Sequence, residues 1–223
     1  ASPEADTGAL ERSKIIQVES HTSQPVDDVS SANGKTRVAI PFAELEAKGI
    51  VSPAVPRGLA AEEFRTIKRP ILKNIAGESA VPIKNPNLVM VTSALQGDGK
   101  TFASINLAIS IAMEQDKTVL FVDADVSKAS AGKMLGVPSD SAGLIDVLEN
   151  KGIELPDVIL RTTMDKLAIL PAGRAHERAN ELLASASMVR LMLDLSQRYS
   201  DRVIVFDSPP LLLTTEAGVL AGL

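Results

Sequence analysis

The strongest constraint on the fold is a short glycine-containing loop that stands between an apolar run and a helical pattern. Residues 94–101 read Ala-Leu-Gln-Gly-Asp-Gly-Lys-Thr, after the apolar run 88–93 and before a helical pattern over 100–115. Glycines let such a loop aim backbone N–H groups inward, and the N-terminus of the following helix adds partial positive charge. Strand, loop and helix together predict a phosphate-binding loop, with Ala94 in place of the usual first glycine.

The rest of the chain alternates short apolar runs with helical segments. Strands are predicted over 118–122, 167–170 and 202–206, and helices over 41–45, 59–75, 143–149 and 180–199. We expect Pro70 to kink or end the helix at 59–75. The methionines at helical positions, Met113, Met188 and Met192, are expected to fill the core. Repeated strand–helix–strand units predict a single α/β domain on a mostly parallel sheet, with helices on both faces.

The two ends of the chain depart from this alternation. Residues 1–35 are rich in Ser, Asp, Glu, Thr and Pro and lack apolar periodicity, which predicts a disordered N-terminal tail before a domain over 36–223. The segment 218–223 is apolar, and domains rarely end on such a surface. We therefore expect the natural protein to continue beyond residue 223.

Composition disfavours several classes of function. The net charge is −5, so nucleic acid is not the expected partner, because binding its backbone needs a basic surface. The chain has no cysteine, which excludes disulfides, thiolate metal sites and cysteine nucleophiles. His21 and His176 lack metal-ligand spacing. No apolar run reaches the ~20 residues of a membrane span, so any contact with a membrane is expected to come through a partner.

The loop motif assigns roles to individual residues. Lys100 is expected to reach the β- and γ-phosphates of ATP, and the Thr101 hydroxyl to ligate Mg²⁺. Phosphate binding is expected from a continuous set of residues, namely Gln96, Gly97, Asp98, Gly99, Lys100, Thr101 and Phe102.

Three aspartates are expected to complete this site. Asp123 and Asp125 follow one predicted strand and Asp207 follows another, so they emerge at the carboxyl edge of a parallel sheet, where ligands bind. Asp123 and Asp207, together with Thr101, are the predicted Mg²⁺ ligands. Lys100, Asp123 and Asp125 are the predicted catalytic residues, and either Asp123 or Asp125 would orient or deprotonate an acceptor hydroxyl.

With these elements in place, the chain resembles the bacterial tyrosine kinases, in particular the branch linked to exosortase-type exopolysaccharide systems. The matching segments are 62–68, 94–101, 122–125, 170–174, 180–183 and 206–210. The resemblance implies an ATP-dependent protein-tyrosine autokinase that regulates exopolysaccharide synthesis or export. It identifies 94–101 as the Walker A motif, Asp123 with Asp125 as Walker A′, and Asp207 as Walker B.

The resemblance also implies partners and a location. A Glu-x-x-Arg-x-x-Arg helix assembles family members into rings, and Glu62, Arg65 and Lys68 occupy its positions, with lysine in place of the second arginine. An inner-membrane chain-length regulator would hold the cytoplasmic kinase at the membrane. Family members carry a C-terminal tyrosine cluster, whereas Tyr199 is the single tyrosine here and is expected to pack. Ser127, followed by Lys128, stands where many relatives have arginine.

Two other functions fit the same motifs. Partitioning ATPases of the MinD and ParA kind share the loop, but they carry a second lysine where this chain has Leu95. A non-catalytic, nucleotide-binding regulator of an export complex is favoured by the absence of a tyrosine cluster.

Overall fold

A computed structural model describes residues 37–149 and 152–210 of the chain. Its helices are α1 (Phe42–Ala47), α2 (Leu59–Ile75), α3 (Lys100–Ala112), α4 (Ser130–Met134), α5 (Leu144–Glu149), α6 (Leu155–Val158), α7 (Ala179–Leu183) and α8 (Ala186–Arg198). Its strands are β1 (Leu88–Val91), β2 (Thr118–Asp123), β3 (Leu160–Arg161), β4 (Leu167–Leu170) and β5 (Arg202–Asp207). Within these residues, no helix is long and apolar enough to cross a bilayer. The expected tail and the apolar end lie outside the described residues.

The strands form one sheet in the order β1-β5-β2-β4-β3. β1, β5, β2 and β4 run parallel, and β3 pairs antiparallel with β4 at one side. This confirms the predicted mostly parallel sheet. β3 was not predicted, because Leu160–Arg161 is too short to give a period-two pattern.

Alternate residues of the central strands pack into two separate cores. Val119, Phe121, Val203 and Val205 lie in one core with α2 and α3. Leu120, Val122, Ile204 and Phe206 lie in the other, with α5 and α8. Successive side chains of a strand point to opposite faces, so helices cover both faces of the sheet, as predicted.

The sequence led us to expect that Pro70 would kink or end α2, but the helix does not end there. It runs without interruption from Leu59 to Ile75. A proline inside a helix costs about 3 kcal/mol because it removes one hydrogen bond and crowds the preceding turn. Packing of the buried face of α2, which includes Ala61 and Phe64, against α3 offsets that cost.

Residues Arg65, Lys68 and Arg69 of α2 look in the sequence like one exposed basic face, but this interpretation is wrong for Lys68. The side chain is buried. Its Nζ donates to the Ser110 carbonyl at 2.6 Å and forms an ion pair with Glu114 Oε1, also at 2.6 Å. A cation near the last carbonyls of a helix is favourable, so Lys68 caps the C-terminal end of α3 instead of facing solvent.

The single helix predicted over 180–199 is broken after Leu183, and α8 starts at Ala186. Ser185 is the N-cap of α8: its Oγ accepts from Met188 N at 3.3 Å and donates to the Leu182 carbonyl at 2.6 Å. The buried side of α8 is formed by Met188, Met192 and Leu195, whereas Ala186 is exposed. The two methionines therefore fill the core, as predicted.

Replacing Ser185 with alanine is expected to lower the free energy of unfolding by about 1–2 kcal/mol, because α8 loses its N-cap. Urea denaturation measures the change. Ser187→Ala, two residues further on, is the matched control and should change stability by less than about 0.5 kcal/mol. Equal effects of the two substitutions would contradict the capping role.

Candidate functional site

The predicted phosphate loop connects the end of β1 to the start of α3 and is exposed over 94–99. Gly97 and Gly99 have φ angles of +93° and +88°. These are left-handed conformations that a residue with a Cβ adopts only with strain, so both positions require glycine. The glycines thus shape the loop in the way that the sequence predicted.

Side chains of the loop itself hold its curvature. Asp98 Oδ2 accepts from the Leu95 N–H at 2.9 Å, and Ser93 Oγ donates to the Leu95 carbonyl at 2.7 Å. These contacts are local side-chain to backbone hydrogen bonds, and they hold the shape of the loop.

Two further hydrogen bonds tie the loop to the segment after β5. Thr92 Oγ1 donates to the Pro209 carbonyl at 2.8 Å, and Ser208 Oγ donates to the Val91 carbonyl at 2.8 Å. The start of the loop and the end of the strand that carries Asp207 are therefore tied to each other by side-chain hydrogen bonds.

Lys100, the first residue of α3, is buried next to Asp125. Its Nζ lies 2.8 Å from Asp125 Oδ2, and both side chains are 4% exposed. The contact is an ion pair whose atoms are not aligned as a hydrogen bond. A charge pair removed from water to this degree interacts far more strongly than a surface pair.

Asp123 and Asp207 occupy neighbouring positions at the carboxyl edge of the sheet. They are directly paired in the register of β2 and β5. Asp123 is 1% exposed and Asp207 is 0% exposed. The topology therefore brings two buried carboxylates from distant parts of the chain side by side, beside the Lys100–Asp125 pair.

The carboxyl group of Asp123 has an abnormal proton affinity. Burial raises its pKa, the nearby charges of Asp207 and Asp125 add to this rise, and a hydrogen bond from the Gly132 N–H opposes it; together these effects place the pKa at about 7. That bond reaches Oδ2 at 3.0 Å, while Oδ1 has no hydrogen-bond partner among the described residues.

Asp207 is perturbed in the same direction. Burial raises its pKa, the charge of Asp125 adds to this rise, and the hydroxyls of Thr101 and Ser104 with the charge of Lys100 oppose it; together these effects place the pKa at about 6. Those hydroxyls lie close to the carboxylate, yet in the described part of the chain neither Asp207 oxygen has a partner in good hydrogen-bond geometry. A buried carboxylate without partners costs free energy unless a cation satisfies it.

The orphaned oxygens fit a hard divalent cation. Three buried carboxylate oxygens, Asp123 Oδ1 and both oxygens of Asp207, lack partners within 37–149 and 152–210. In the same residues, no group of three or more His, Cys, Asp or Glu side chains forms a complete metal cage. Mg²⁺ matches this pattern, because it binds one or two carboxylates and completes its shell with water and phosphate oxygens.

The structure brings most of the sequence-predicted residues together. Lys100, Thr101, Asp123, Asp125 and Asp207 form one cluster, and Gln96, Gly97, Asp98 and Gly99 form the exposed loop above it. Phe102 is outside the cluster: its side chain is 40% exposed and faces Gly49. Glu62 and Arg65 lie on the solvent-facing side of α2 and form an ion pair with each other.

Sequence reasoning missed two contacts of the site. The N–H of Gly132, the third residue of the short helix α4, donates a hydrogen bond to Asp123. Ser104 follows Lys100 by one helical turn, so its spacing could have placed it on the same face of α3. No motif marks Gly132, since its contribution is a backbone group.

A glycine-containing loop before a helix, with buried carboxylates at the same edge of a parallel sheet, defines a P-loop nucleotide-binding domain. Residues 87–221, more than half of the chain, match the family model described as AAA domain.

Comparison with known proteins shows which P-loop proteins the chain is similar to. CapB of Staphylococcus aureus, named as a candidate tyrosine-protein kinase, is 30% identical over 178 residues, which cover 78% of this chain and 73% of CapB. ExoP of Rhizobium meliloti, named a succinoglycan biosynthesis transport protein, is 34% identical over 153 residues, covering 67% of this chain and 18% of ExoP. The solved kinase domain of Escherichia coli tyrosine kinase ETK gives a TM-score of 0.66 at 28% identity, over 88% of this chain and 69% of that one.

The chain belongs to the AAA domain family and, within it, to the bacterial tyrosine-protein kinases. It spans 73% of the length of CapB but only 18% to 26% of the larger relatives.

Proposed function

We propose that the chain is the catalytic part of an ATP-dependent protein-tyrosine autokinase that regulates exopolysaccharide synthesis or export. The observation that carries the proposal is the cluster of Lys100, Asp123, Asp125 and Asp207 beneath a glycine-containing loop, with buried carboxylate oxygens left unpaired. The kinase names of its relatives and the succinoglycan role in the name of ExoP support the choice of reaction and pathway.

In this function the loop amides and Lys100 bind the phosphates of ATP. Thr101, Asp123 and Asp207 would hold Mg²⁺, and its charge would offset the negative charge of the phosphates. The chain contributes mainly position and electrostatic stabilisation, because the transition state of phosphoryl transfer needs little covalent help.

The Lys100–Asp125 pair gives the site a way to prepare the acceptor. Lys100 Nζ lies 2.8 Å from Asp125 Oδ2. To bind a phosphate, the ammonium group must share or exchange this contact. The Asp125 carboxylate then becomes available to orient the acceptor hydroxyl or to take its proton.

We further propose that the protein assembles as a homo-oligomer and works at the cytoplasmic face of the membrane with a chain-length regulator. Glu62 and the half-buried Arg65 pair with each other on the solvent-facing side of α2, and a neighbouring subunit would exchange this pair for contacts across the interface. Lys68 is turned inward onto α3, so this helix offers two of the three expected contacts. Assembly through α2 should therefore rest on Glu62 and Arg65.

A nucleotide-binding regulator without kinase activity is the second candidate. The sequence holds one tyrosine, Tyr199, and its ring is packed against the core with the Arg202 guanidinium 4.8 Å from the ring centroid. This residue is committed to packing, as predicted, and is a poor acceptor in the folded chain.

Mass spectrometry of the natural full-length protein after incubation with Mg-ATP separates the two candidates. We expect phosphotyrosine in the wild type and none in Asp123→Asn, which keeps the shape of the side chain but removes a metal ligand. Asp194→Asn, an exposed position on α8, is the matched control and should behave as the wild type. Mg-ATP binding without phosphotyrosine, even with the regulator's cytoplasmic segment added, would favour the non-catalytic regulator.

A further inference from the structure

A second polar cavity lies at the amino edge of the sheet, where the parallel strands begin. Its volume is about 190 Å³, and the first residues of β2, β4 and β5 (Thr118, Leu167 and Arg202) are among its walls. The candidate nucleotide site is at the carboxyl ends of the same strands. The two sites are therefore separated by the length of the sheet and share no residue.

Positive charge dominates this amino-edge cavity. Four cationic side chains line it, Arg37, Arg161, Lys166 and Arg202, against one acidic side chain, Asp165. The chain as a whole carries a net charge of −5, so such a local excess of positive charge is unusual for it. Lys166 directs its Nζ to the Glu114 and Gln115 carbonyls at 2.7 and 2.8 Å, so the rest of the positive charge of the cavity comes from the three arginines.

Two acidic side chains neutralise these arginines only in part: Asp165 lies beside Arg37, and Asp201 Oδ2 lies 3.9 Å from Arg202 Nε. Arg37 places Nη1 2.6 Å from Asp165 Oδ1, and the guanidinium of Arg202 lies over the Tyr199 ring. The Nε atoms of Arg37 and Arg202 are buried and have no hydrogen-bond partner among the described residues. Buried donors without partners are costly, and an anion in the cavity would lower that cost by compensating their charge.

Backbone pairing fixes the relative position of two of the arginines. The Val38 N–H donates to the Arg161 carbonyl at 2.8 Å, and Val38 forms a bridge with Thr162. Arg37 and Arg161 therefore enter the cavity from adjacent, hydrogen-bonded segments, although they are distant in sequence. The third arginine, Arg202, comes from the start of β5.

We propose that the amino-edge cavity is a binding site for a phosphate group, distinct from the nucleotide site. Guanidinium groups match phosphate oxygens in geometry and remain charged at any physiological pH. The four cationic side chains exceed the two carboxylates beside them, Asp165 and Asp201, by two positive charges, which favours a dianionic phosphate. The proposal does not depend on kinase activity, since it rests on residues at the opposite edge of the sheet.

Calorimetric titration with inorganic phosphate and with free phosphotyrosine, at constant ionic strength, tests this site. Saturating Mg-ADP is present throughout, because the P-loop would otherwise bind the same probes. Arg161→Gln and Arg202→Gln should each weaken phosphate binding by about 10-fold, as expected for the loss of a charge-assisted contact. Arg190→Gln, on the exposed side of α8, is the control and should change the affinity less than about twofold.

Arg161 is exposed, so its substitution is not expected to impair folding even if Arg202→Gln does. Tighter binding of phosphotyrosine than of inorganic phosphate, lost in Arg161→Gln, would identify a phosphate carried on a protein as the ligand. Equal or tighter binding of inorganic phosphate would identify the free anion. The proposal is overturned if neither probe binds saturably, or if Arg161→Gln binds both probes like the wild type.

Discussion

Lys100→Ala is expected to lower phosphate transfer from Mg-ATP at least ~100-fold, in line with the loss of one electrostatic stabiliser of the transition state. The buried ammonium group lies at the first turn of α3, next to the loop that would hold the phosphates. Transfer of labelled phosphate from ATP measures the effect. Lys84→Ala, an exposed lysine in the segment before β1, is the control and should keep full activity.

The substitution of Lys100 also leaves Asp125 without its ion-pair partner inside a cluster of carboxylates. Breaking a buried pair on one side typically costs about 3–5 kcal/mol, so loss of activity could reflect unfolding. The double substitution Lys100→Met with Asp125→Asn removes both charges and should recover much of that stability. We expect the double variant to fold and to remain inactive. Activity within about threefold of the wild type in Lys100→Ala would contradict the site assignment.

Asp207→Asn is expected to abolish Mg-dependent activity and yet to stabilise the metal-free protein. At pH 8 the free energy of unfolding should rise by about 1–3 kcal/mol, because a buried charge without partners is removed from beside Asp123 and Asp125. Functional sites commonly trade stability for activity in this way. Urea denaturation in EDTA measures the change, and the exposed Asp194→Asn is the control, expected within about 0.5 kcal/mol of the wild type.

The stability of the metal-free protein should fall with rising pH, and it should fall less steeply in Asp207→Asn than in the wild type. The pKa values of Asp123 and Asp207 are raised from 3.8 to about 7 and about 6 in the folded protein. Between about pH 4 and pH 7 the folded state binds more protons than the unfolded state. The free energy of unfolding that the two carboxyl groups contribute is therefore full below about pH 4 and is lost as the pH rises to about 7. Asp207→Asn removes one of the two groups, so its stability should decline less than that of the wild type over this range. An unchanged slope, together with lower stability at pH 8, would contradict the buried-charge interpretation.

The sequence was sufficient to predict the centre of the fold and of the site, for a physical reason. The loop 94–101 and the aspartates after β2 and β5 are local patterns, in which glycine, lysine and carboxylate follow apolar strands directly. The rule that ligands bind at the carboxyl ends of parallel strands then brings these patterns together without further information. The register pairing of Asp123 with Asp207 is the outcome of that rule.

The features that the sequence could not supply depend on contacts between distant segments. Lys68 looks like any surface lysine on an amphipathic helix, and only its packing on the end of α3 explains its burial. The break before α8 depends on the cap that Ser185 provides, in a stretch whose apolar pattern continues across it. The arginines of the amino-edge cavity are spread from residue 37 to residue 202, so no spacing motif could connect them.

The most direct test of the nucleotide site is calorimetric titration of ATP into the wild-type protein, with Mg²⁺ and with EDTA, alongside Asp207→Asn. The unpaired oxygens of Asp123 and Asp207 should serve the metal. We therefore expect the wild type to bind ATP at least ~10-fold more tightly with Mg²⁺ than with EDTA, and Asp207→Asn to lose most of that difference. Absence of ATP binding, or binding that is equal in Mg²⁺ and EDTA for both proteins, would contradict the assignment of a Mg-ATP site.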